Sequence, residues 1–474
     1  MSAARSGARA RSFVAGTAVL LLAGCATFSP DGGFDRVAEL TRERAGHAPR
    51  WQRSDADADA ARQRVAELLR EPLRADAAVE IALLNHAGLQ ADLHELGIAE
   101  SDLVRAGRMR NPTFSFSRLA GGGHLEIERA LIFDVLSLLT MPLAVEAEQR
   151  RFARTQLEIA GRAVAVAAEA RRAWTATVAS QELVRYYEQV KEAADASAEL
   201  ARRMVEAGNF SKLAMMREQA FYADATTQLA RARHQAHAER ERLARALGLH
   251  GEQLAFTLAD RLPDLPAAPL EPRDAERTAI ETRLDVLAAK RGAEAVARAL
   301  ELNRATGFVN VLHGGYVNAS ESDEERKDGF ELELELPIFD FGATRTARAE
   351  ATYRQALQRT AEVATNARSE VRDAYSAYRT SYDIARHYRD EIVPLRKRIS
   401  EENLLRYNGM LIGIFELLAD AREQVASVTA AVEAVRDFWL ADTNLQVALT
   451  SGSPGAATAV QRPAAAPAGG SGGH

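Results

Sequence analysis

Residues 143–207 run without a proline and with one glycine, Gly161. An unbroken helix of about 65 residues would extend roughly 97 Å at 1.5 Å per residue, whereas helices of soluble globular domains average about 11–12 residues. A second such stretch spans about 344–408 and contains one proline, Pro394. Rods of this kind belong to coiled coils, spectrin-like arrays or α-helical tubes. Composition agrees. The 474 residues include 14 prolines and 6% aromatics, which favours helix over an all-β or disulfide-stapled chain. The single cysteine leaves no partner for an intrachain disulfide or a cysteine zinc cluster. A formal net charge of -6 gives no electrostatic reason to expect nucleic acid.

The N-terminus reads as an address. Arg5, Arg9 and Arg11 precede an apolar run at 13–23, far shorter than the roughly 20 residues of a spanning helix. Residues 1–24 are therefore expected to be a secretory signal. The run Leu22-Ala23-Gly24-Cys25 resembles a bacterial lipobox. That resemblance implies cleavage before Cys25 and transfer of a diacylglycerol to its thiol, with palmitate among the fatty-acyl chains. It also implies that an Asp after the cysteine would hold the protein at the inner membrane. Ala26 and Thr27 stand there instead, so the outer membrane is expected. Beyond Cys25 no apolar run of about 18 residues remains, so a mature chain that spans a membrane must do so as a closed β-barrel.

The chain also repeats itself at an offset of about 200 residues. Asn85-His86-Ala87-Gly88-Leu89-Gln90-Ala91 aligns with Thr282-Arg283-Leu284-Asp285-Val286-Leu287-Ala288. Each opens a helix, then a strand pair ending in Ile132-Phe133-Asp134 or Ile338-Phe339-Asp340, then a rod, a glycine-bearing break and another helix. The expected organisation follows. Residues 25–75 form a linker after the anchor. Residues 76–250 form a first repeat, with strands at about 112–134 and a break at 207–212. Residues 251–272, carrying Pro263, Pro266, Pro269 and Pro272, link the copies. Residues 273–450 form a second repeat, with strands at about 308–338 and a break at 408–414. Residues 451–474, rich in Gly, Ala and Pro, read as a disordered tail.

Phe330-Glu331-Leu332-Glu333-Leu334-Glu335-Leu336 alternates strictly, and Leu125-Glu126-Ile127-Glu128 and Thr113-Phe114-Ser115-Phe116-Ser117 do so more briefly. Alternate side chains of a strand take opposite faces. Glu331, Glu333, Glu335, Glu126 and Glu128 therefore share the character of a wet face, while the leucines and phenylalanines face lipid or a core. Arg129 and Gly314-Gly315 break the pattern. Four strands cannot close alone, since single-chain barrels begin at about eight, and open edges in lipid are forbidden. Other copies of the chain must complete the sheet.

These features together make residues 76–449 resemble the TolC family of outer-membrane efflux channels, in its lipoprotein branch. Arg283-Leu284-Asp285-Val286-Leu287-Ala288-Ala289 is close to the family's Arg-Pro-Asp-Leu-x-Ala-Ala, with Leu284 at the proline position. Leu336-Pro337-Ile338-Phe339-Asp340-Phe341-Gly342 is close to Leu-Pro-Ile-Phe-Asp-x-Gly. Residues 407–422 resemble Tyr-x-x-Gly-x-x-x-Leu-Glu-x-Leu-x-Ala-x-Arg, with Phe415 for Leu and the glycine one place early at Gly409. The resemblance implies a mainly α chain with a small β part. Four strands per protomer would enter a trimeric 12-stranded barrel in the outer membrane, above a long α-helical coiled-coil tunnel through the periplasm. It implies a passive duct in a tripartite efflux system, exporting small molecules or metal ions, with a periplasmic adaptor and an inner-membrane pump as partners. The breaks become docking tips: Gly208, Asn209, Phe210 and Ser211 in the first, and Gly409, Met410, Leu411, Ile412 and Gly413 in the second. Glu402, Arg406 and Asp420 become candidates for a gate at the narrow end. An alternative is a periplasm-spanning tether lipoprotein without conductance, but a tether has no need of paired alternating strands.

Enzymatic readings find no footing. P-loop and His-Glu-x-x-His motifs are missing from the sequence, and the one Gly-x-Ser-x-Gly match, at 469–473, is part of the Gly-rich tail. His234 and His237 share a helix face at i, i+3 and read as solvated. No cofactor and no metal is expected.

Overall fold

The computed structural model describes residues 26–121, 124–271, 273–309, 311–322 and 325–454. The signal segment, Cys25 and the tail beyond 454 lie outside the described residues. The chain divides into two compact units. One comprises Met1–Val37, Leu93–Glu158 and Val286–Ala364, and the other Ala38–Asp92, Ile159–Asp285 and Thr365–His474.

Helices dominate. In chain order they are α1 (Phe34–Ala45), α2 (Asp55–Leu68), α3 (Ala75–Asn85), α4 (Ala87–Ala106), α5 (Val135–Glu206), α6 (Lys212–Leu247), α7 (Ala275–Thr282), α8 (Leu284–Ala305), α9 (Ala343–His387), α10 (Val393–Asn408) and α11 (Ile414–Thr450). Strands β1 (Thr113–Gly121) and β2 (His124–Asp134) separate α4 from α5, and β3 (Leu312–Glu321) and β4 (Lys327–Leu334) separate α8 from α9.

The first rod is a single helix of 72 residues. It starts earlier than the sequence places it. Asp134 caps it through a 2.9 Å bond from Ser137 N–H to Oδ1, and the helix runs on through Pro142. The second rod is broken. A π turn at Tyr388–Ile392 separates α9 from α10, with Val393 N–H bonded to the Tyr388 carbonyl. The cause is Pro394, which has no N–H and whose ring crowds the preceding turn.

The residues expected as a linker at 25–75 hold two helices. The second begins with a capping box, in which Ser54 Oγ accepts from Asp57 N–H at 3.3 Å and Asp57 Oδ2 accepts from Ser54 N–H at 3.0 Å. The segment at 251–271 is likewise packed and not a free tether. Leu73 N–H bonds the Thr257 carbonyl at 2.9 Å, Trp439 Nε1 donates to the Pro263 carbonyl at 3.0 Å, and Tyr382 OH donates to the Pro266 carbonyl at 3.1 Å. Phe256, Leu262 and Leu265 are buried.

Among the described residues, the second of these units, that of Ala38–Asp92, Ile159–Asp285 and Thr365–His474, holds two apolar clusters. One gathers Val65, Leu73, Ile81, Trp174, Leu243 and Phe256. The other centres on Phe438, whose ring lies 5.5 Å from Tyr378, 5.7 Å from Tyr382 and 5.0 Å from Trp439. Small residues are buried along the long helices, Ala163, Ala167 and Ala170 of α5 among them. Alanine costs no side-chain entropy in a helix, and its small size lets neighbouring helices approach closely. That explains the alanine content without any special chemistry.

Candidate functional site

The sheet is antiparallel throughout, in the order β1-β2-β3-β4. Its register fixes what shares a face, because directly paired residues point the same way. Glu331 pairs with Gly315, which pairs with Ile132, and Glu333 pairs with His313, which pairs with Asp134. Glu126 pairs with Glu321 and Glu128 with Ala319. The glutamates at 126, 128, 331 and 333 therefore stand on one face, together with Glu321, Asp134 and His313. Glu335 falls just past the end of β4, where its N–H still bonds the Val311 carbonyl at 3.2 Å. His313 Nδ1 lies 2.9 Å from Glu333 Oε2, and Arg110 reaches Asp134 at 3.2 Å. Sequence alone did not single out Glu321, His313 or Asp134 for this face. Their strands are too irregular to place without the pairing.

The opposite face is apolar and open. Phe114, Leu131, Tyr316 and Phe330 form one row across all four strands. Phe330 is 90% exposed, Leu332 66% and Phe114 65%. The exposure continues past β4 through Leu336, Ile338 and Phe339. Arg129, which interrupts the alternation, stands on this apolar face in the next row towards the hairpins. Its guanidinium donates to Asn318 Oδ1 at 3.1 Å, Asn318 Nδ2 donates to Asp328 Oδ1 at 2.7 Å, and Tyr316 OH donates to the same oxygen at 2.5 Å. These four side chains thus satisfy one another across three strands of the apolar face. The glycine pair has a packing reason. A Cβ on Gly315 would sit 3.0 Å from the Leu131 carbonyl. Among the described residues, neither outer edge of the sheet, on β1 or on β4, has a neighbouring strand.

The two breaks are tight helix-to-helix turns. In the first, Gly208 adopts a left-handed φ of +81° and Asn209 N–H bonds the Met204 carbonyl at 2.9 Å. Ser211 caps α6, its Oγ accepting from Ala214 N–H at 3.1 Å. In the second, Leu411 N–H bonds the Arg406 carbonyl at 2.8 Å, and Gly413 caps α11 with Glu416 reaching back to its N–H at 3.2 Å. Met410 is left-handed at φ +59° and 93% exposed, and Leu411 is 79% exposed. Ile412 is half-buried. The first turn is more polar. On the last turns of α5, Glu199 accepts from both Arg202 and Arg203, and these guanidiniums push its carboxyl down to about 2.

Two of the three gate candidates meet. Glu402 and Arg406 pair with each other at 3.0 Å on the exposed side of α10. Asp420 is buried, and its Oδ2 has no hydrogen-bond partner among the described residues. Glu218, missed by the sequence reading, is its counterpart in α6. It is 1% exposed, takes Ser197 Oγ at 2.8 Å on Oε2, and leaves Oε1 without a partner among the described residues. Both carboxylates lie seven residues after a helix cap, at Ser211 and Gly413.

No group of three His, Cys, Asp or Glu residues is gathered for a metal ion among the described residues, and no described helix is long and apolar enough to cross a membrane. His234 and His237 are exposed.

No family model matches the chain, and no curated protein does. Solved structures match it well. A membrane protein of Pseudomonas aeruginosa superposes with a TM-score of 0.70 at 19% identity, covering 79% of this chain and 92% of its own. CusC, solved in a study of transmembrane channel formation, gives 0.68 at 15% identity, over 80% and 92%. The CmeC outer-membrane channel of Campylobacter jejuni gives 0.65 at 14% identity, over 85% and 88%. The chain has the fold of the TolC family of outer-membrane efflux channels. In that fold the long helices, the four strands and the two helical turns are parts of one design. The motif residues have their reasons locally. Gly342, left-handed at φ +73°, passes so close to Gly307 that a Cβ would overlap its carbonyl oxygen. Asp340 Oδ1 accepts Gly342 N–H at 2.9 Å, and Oδ2 accepts the Thr344 hydroxyl at 2.6 Å.

Proposed function

We propose that the chain is the outer-membrane component of a tripartite efflux system, a passive homotrimeric duct for small molecules or metal ions that performs no chemistry. The observation that carries this reading is the sheet. It has one acidic face, one broadly exposed apolar face and two open edges. An open edge in hydrocarbon leaves unpaired backbone groups at several kcal/mol each, so the edges must be paired by other copies. Three copies give twelve strands, the number the family resemblance implies, with Glu126, Glu128, Glu331, Glu333 and Glu335 towards a wet lumen. Cys25 carries the lipid anchor in this reading, and its replacement by serine should abolish palmitate labelling. The tips engage a periplasmic adaptor, and energy comes from an inner-membrane pump. Glu402, Arg406 and Asp420 belong to the narrowing of the tunnel.

The test is reconstitution of the full chain. Native mass spectrometry in mild detergent should give a threefold species, and planar bilayers should give discrete conductance steps. A stable monomer, or a trimer that never conducts, would sink the proposal, and the latter would restore the tether reading.

A further inference from the structure

In the second unit, a cavity of about 400 Å³ opens between the end of α1, α3, α5 and α11. One wall is apolar, made by Val79, Val164, Ala168 and Val447. The other is charged, with Arg44, Asp76, Arg171 and Asp442. Its cations are already engaged. Arg171 donates to Asp76 Oδ1 at 3.1 Å. Arg44 donates to the carbonyls of Thr450, Leu40 and Thr282, each at 3.1 Å. Asp442 differs. Half-buried on the inner side of α11, its carboxylate makes no hydrogen bond or ion pair with any described residue.

Arg171 is paired with Asp76 and Arg44 with Glu43, each at 3.1 Å, so the carboxylate left without a paired cation is Asp442, in a cavity with an apolar wall. We infer that the cavity is a binding site for an organic cation, an ammonium or guanidinium group carried on an apolar body, with Asp442 as its counter-ion. Pockets of this make-up, apolar with one or two convergent polar groups, are the usual form of small-molecule sites. Burial raises the Asp442 carboxyl above its ordinary value, with nearby Arg171 working the other way. A cation beside such a carboxylate offsets its lost solvation. The other groups that titrate or carry charge around Asp442 are Arg44, His47, Asp76 and Arg171, and His47 lies 3.9 Å from Glu80. The inference goes beyond the duct reading and does not depend on conductance.

The test uses the full chain in detergent and a matched pair of fluorescent probes, 1-naphthylmethylammonium and 1-naphthoate. The ammonium should bind and the carboxylate should not. Asp442→Asn should weaken the ammonium by at least about tenfold, as expected for loss of a charge-assisted contact. Gln446→Trp, at an exposed position on the rim, should block entry while leaving Asp442 and the helix cores intact, so a folding defect in the first variant does not decide the matter. Binding should weaken as pH falls from 7 through the raised Asp442 value. His47→Gln should keep that dependence, and Asp442→Asn should lose it. No binding of either probe, equal binding by Asp442→Asn, or preference for naphthoate would each overturn the inference. The first result would mean the cavity is filled in the assembled protein, and the last that Arg44 and Arg171 dominate it.

Discussion

His86 stops one helix and starts the next. It ends α3 in an extended conformation, and its Nδ1 accepts the Leu89 N–H of α4 at 3.1 Å. Only the neutral ring can accept there. Burial depresses its proton affinity, with Asp92 opposing. A folded value below the unfolded one, about 6.5, means stability present above that pH and lost as pH falls through it. The melting temperature of the wild type should therefore drop between pH 7.5 and 5.5. The drop should shrink in His86→Asn, which keeps an acceptor for the helix start, whose worth is about 0.5–2 kcal/mol. Asp442, raised by burial, tilts the curve the other way, so the difference between the two proteins is the quantity to measure. The same junction in the second half is held by Arg283. Its side chain is 1% exposed and grips Asp285 at 2.7 Å and 3.0 Å and Glu370 at 2.7 Å. Both carboxylates keep partial exposure, so Arg283→Met should cost about 3 kcal/mol, the low end for breaking a buried pair. Chemical denaturation would show it, and an unchanged midpoint would mean the network is dispensable. The sequence marks Arg283 and Asp285 as a motif, but Glu370 arrives from another helix, so its part in the network could not be read in advance.

At the level of elements, the strand faces can be tested directly. Leu334 stands on the apolar face and Glu333 on the acidic one. In the barrel reading, Leu334→Arg places a cation in lipid at roughly 2–4 kcal/mol near the midplane and should lower the yield of assembled protein. Glu333→Arg should assemble normally and change conductance and its ion preference. Equal assembly defects would show that the faces are wrongly assigned. These strands were legible because alternation needs only a run of residues. The two faces as wholes were not, since they depend on which residue of β2 meets which residue of β3, a register set across about 190 residues of chain. The helices α1 and α2 went unread for a different reason. They are short and carry many charges, and the Ser54–Asp57 capping box was their one local signal. The segment at 251–271 looked like a linker from its prolines. Proline fixes the chain in extended form, and an extended chain can lie along helices as readily as join domains.

For the molecule as a whole, the long helices, the paired strands and the glycine turns together narrowed the fold from sequence. The use of the turns could not be read there, because it depends on which apolar residues remain uncovered. The structure separates them. Met410 and Leu411 stand out from the second turn, while Ile412 is half-buried. The sheet belongs to the other unit, so substitutions at the turn should leave the strands undisturbed. If the exposed pair docks an adaptor, Leu411→Asp places a charge inside that interface. An unpaired buried charge costs several kcal/mol, and micromolar binding totals only about 8 kcal/mol. Adaptor capture by the purified trimer should then be lost, and efflux with it, with no rise in resting leakage to large antibiotics. Ile412→Asp should behave differently. Its side chain is half-buried, and if that cover comes from the turn itself, a charge there should loosen the tip and raise leakage. The two variants, measured in one strain for capture, efflux and leakage, therefore give opposite patterns. The same pattern from both would mean the turn acts as one packed unit. Wild-type behaviour from Leu411→Asp would remove the second turn from the docking surface and leave that role to Gly208, Asn209, Phe210 and Ser211.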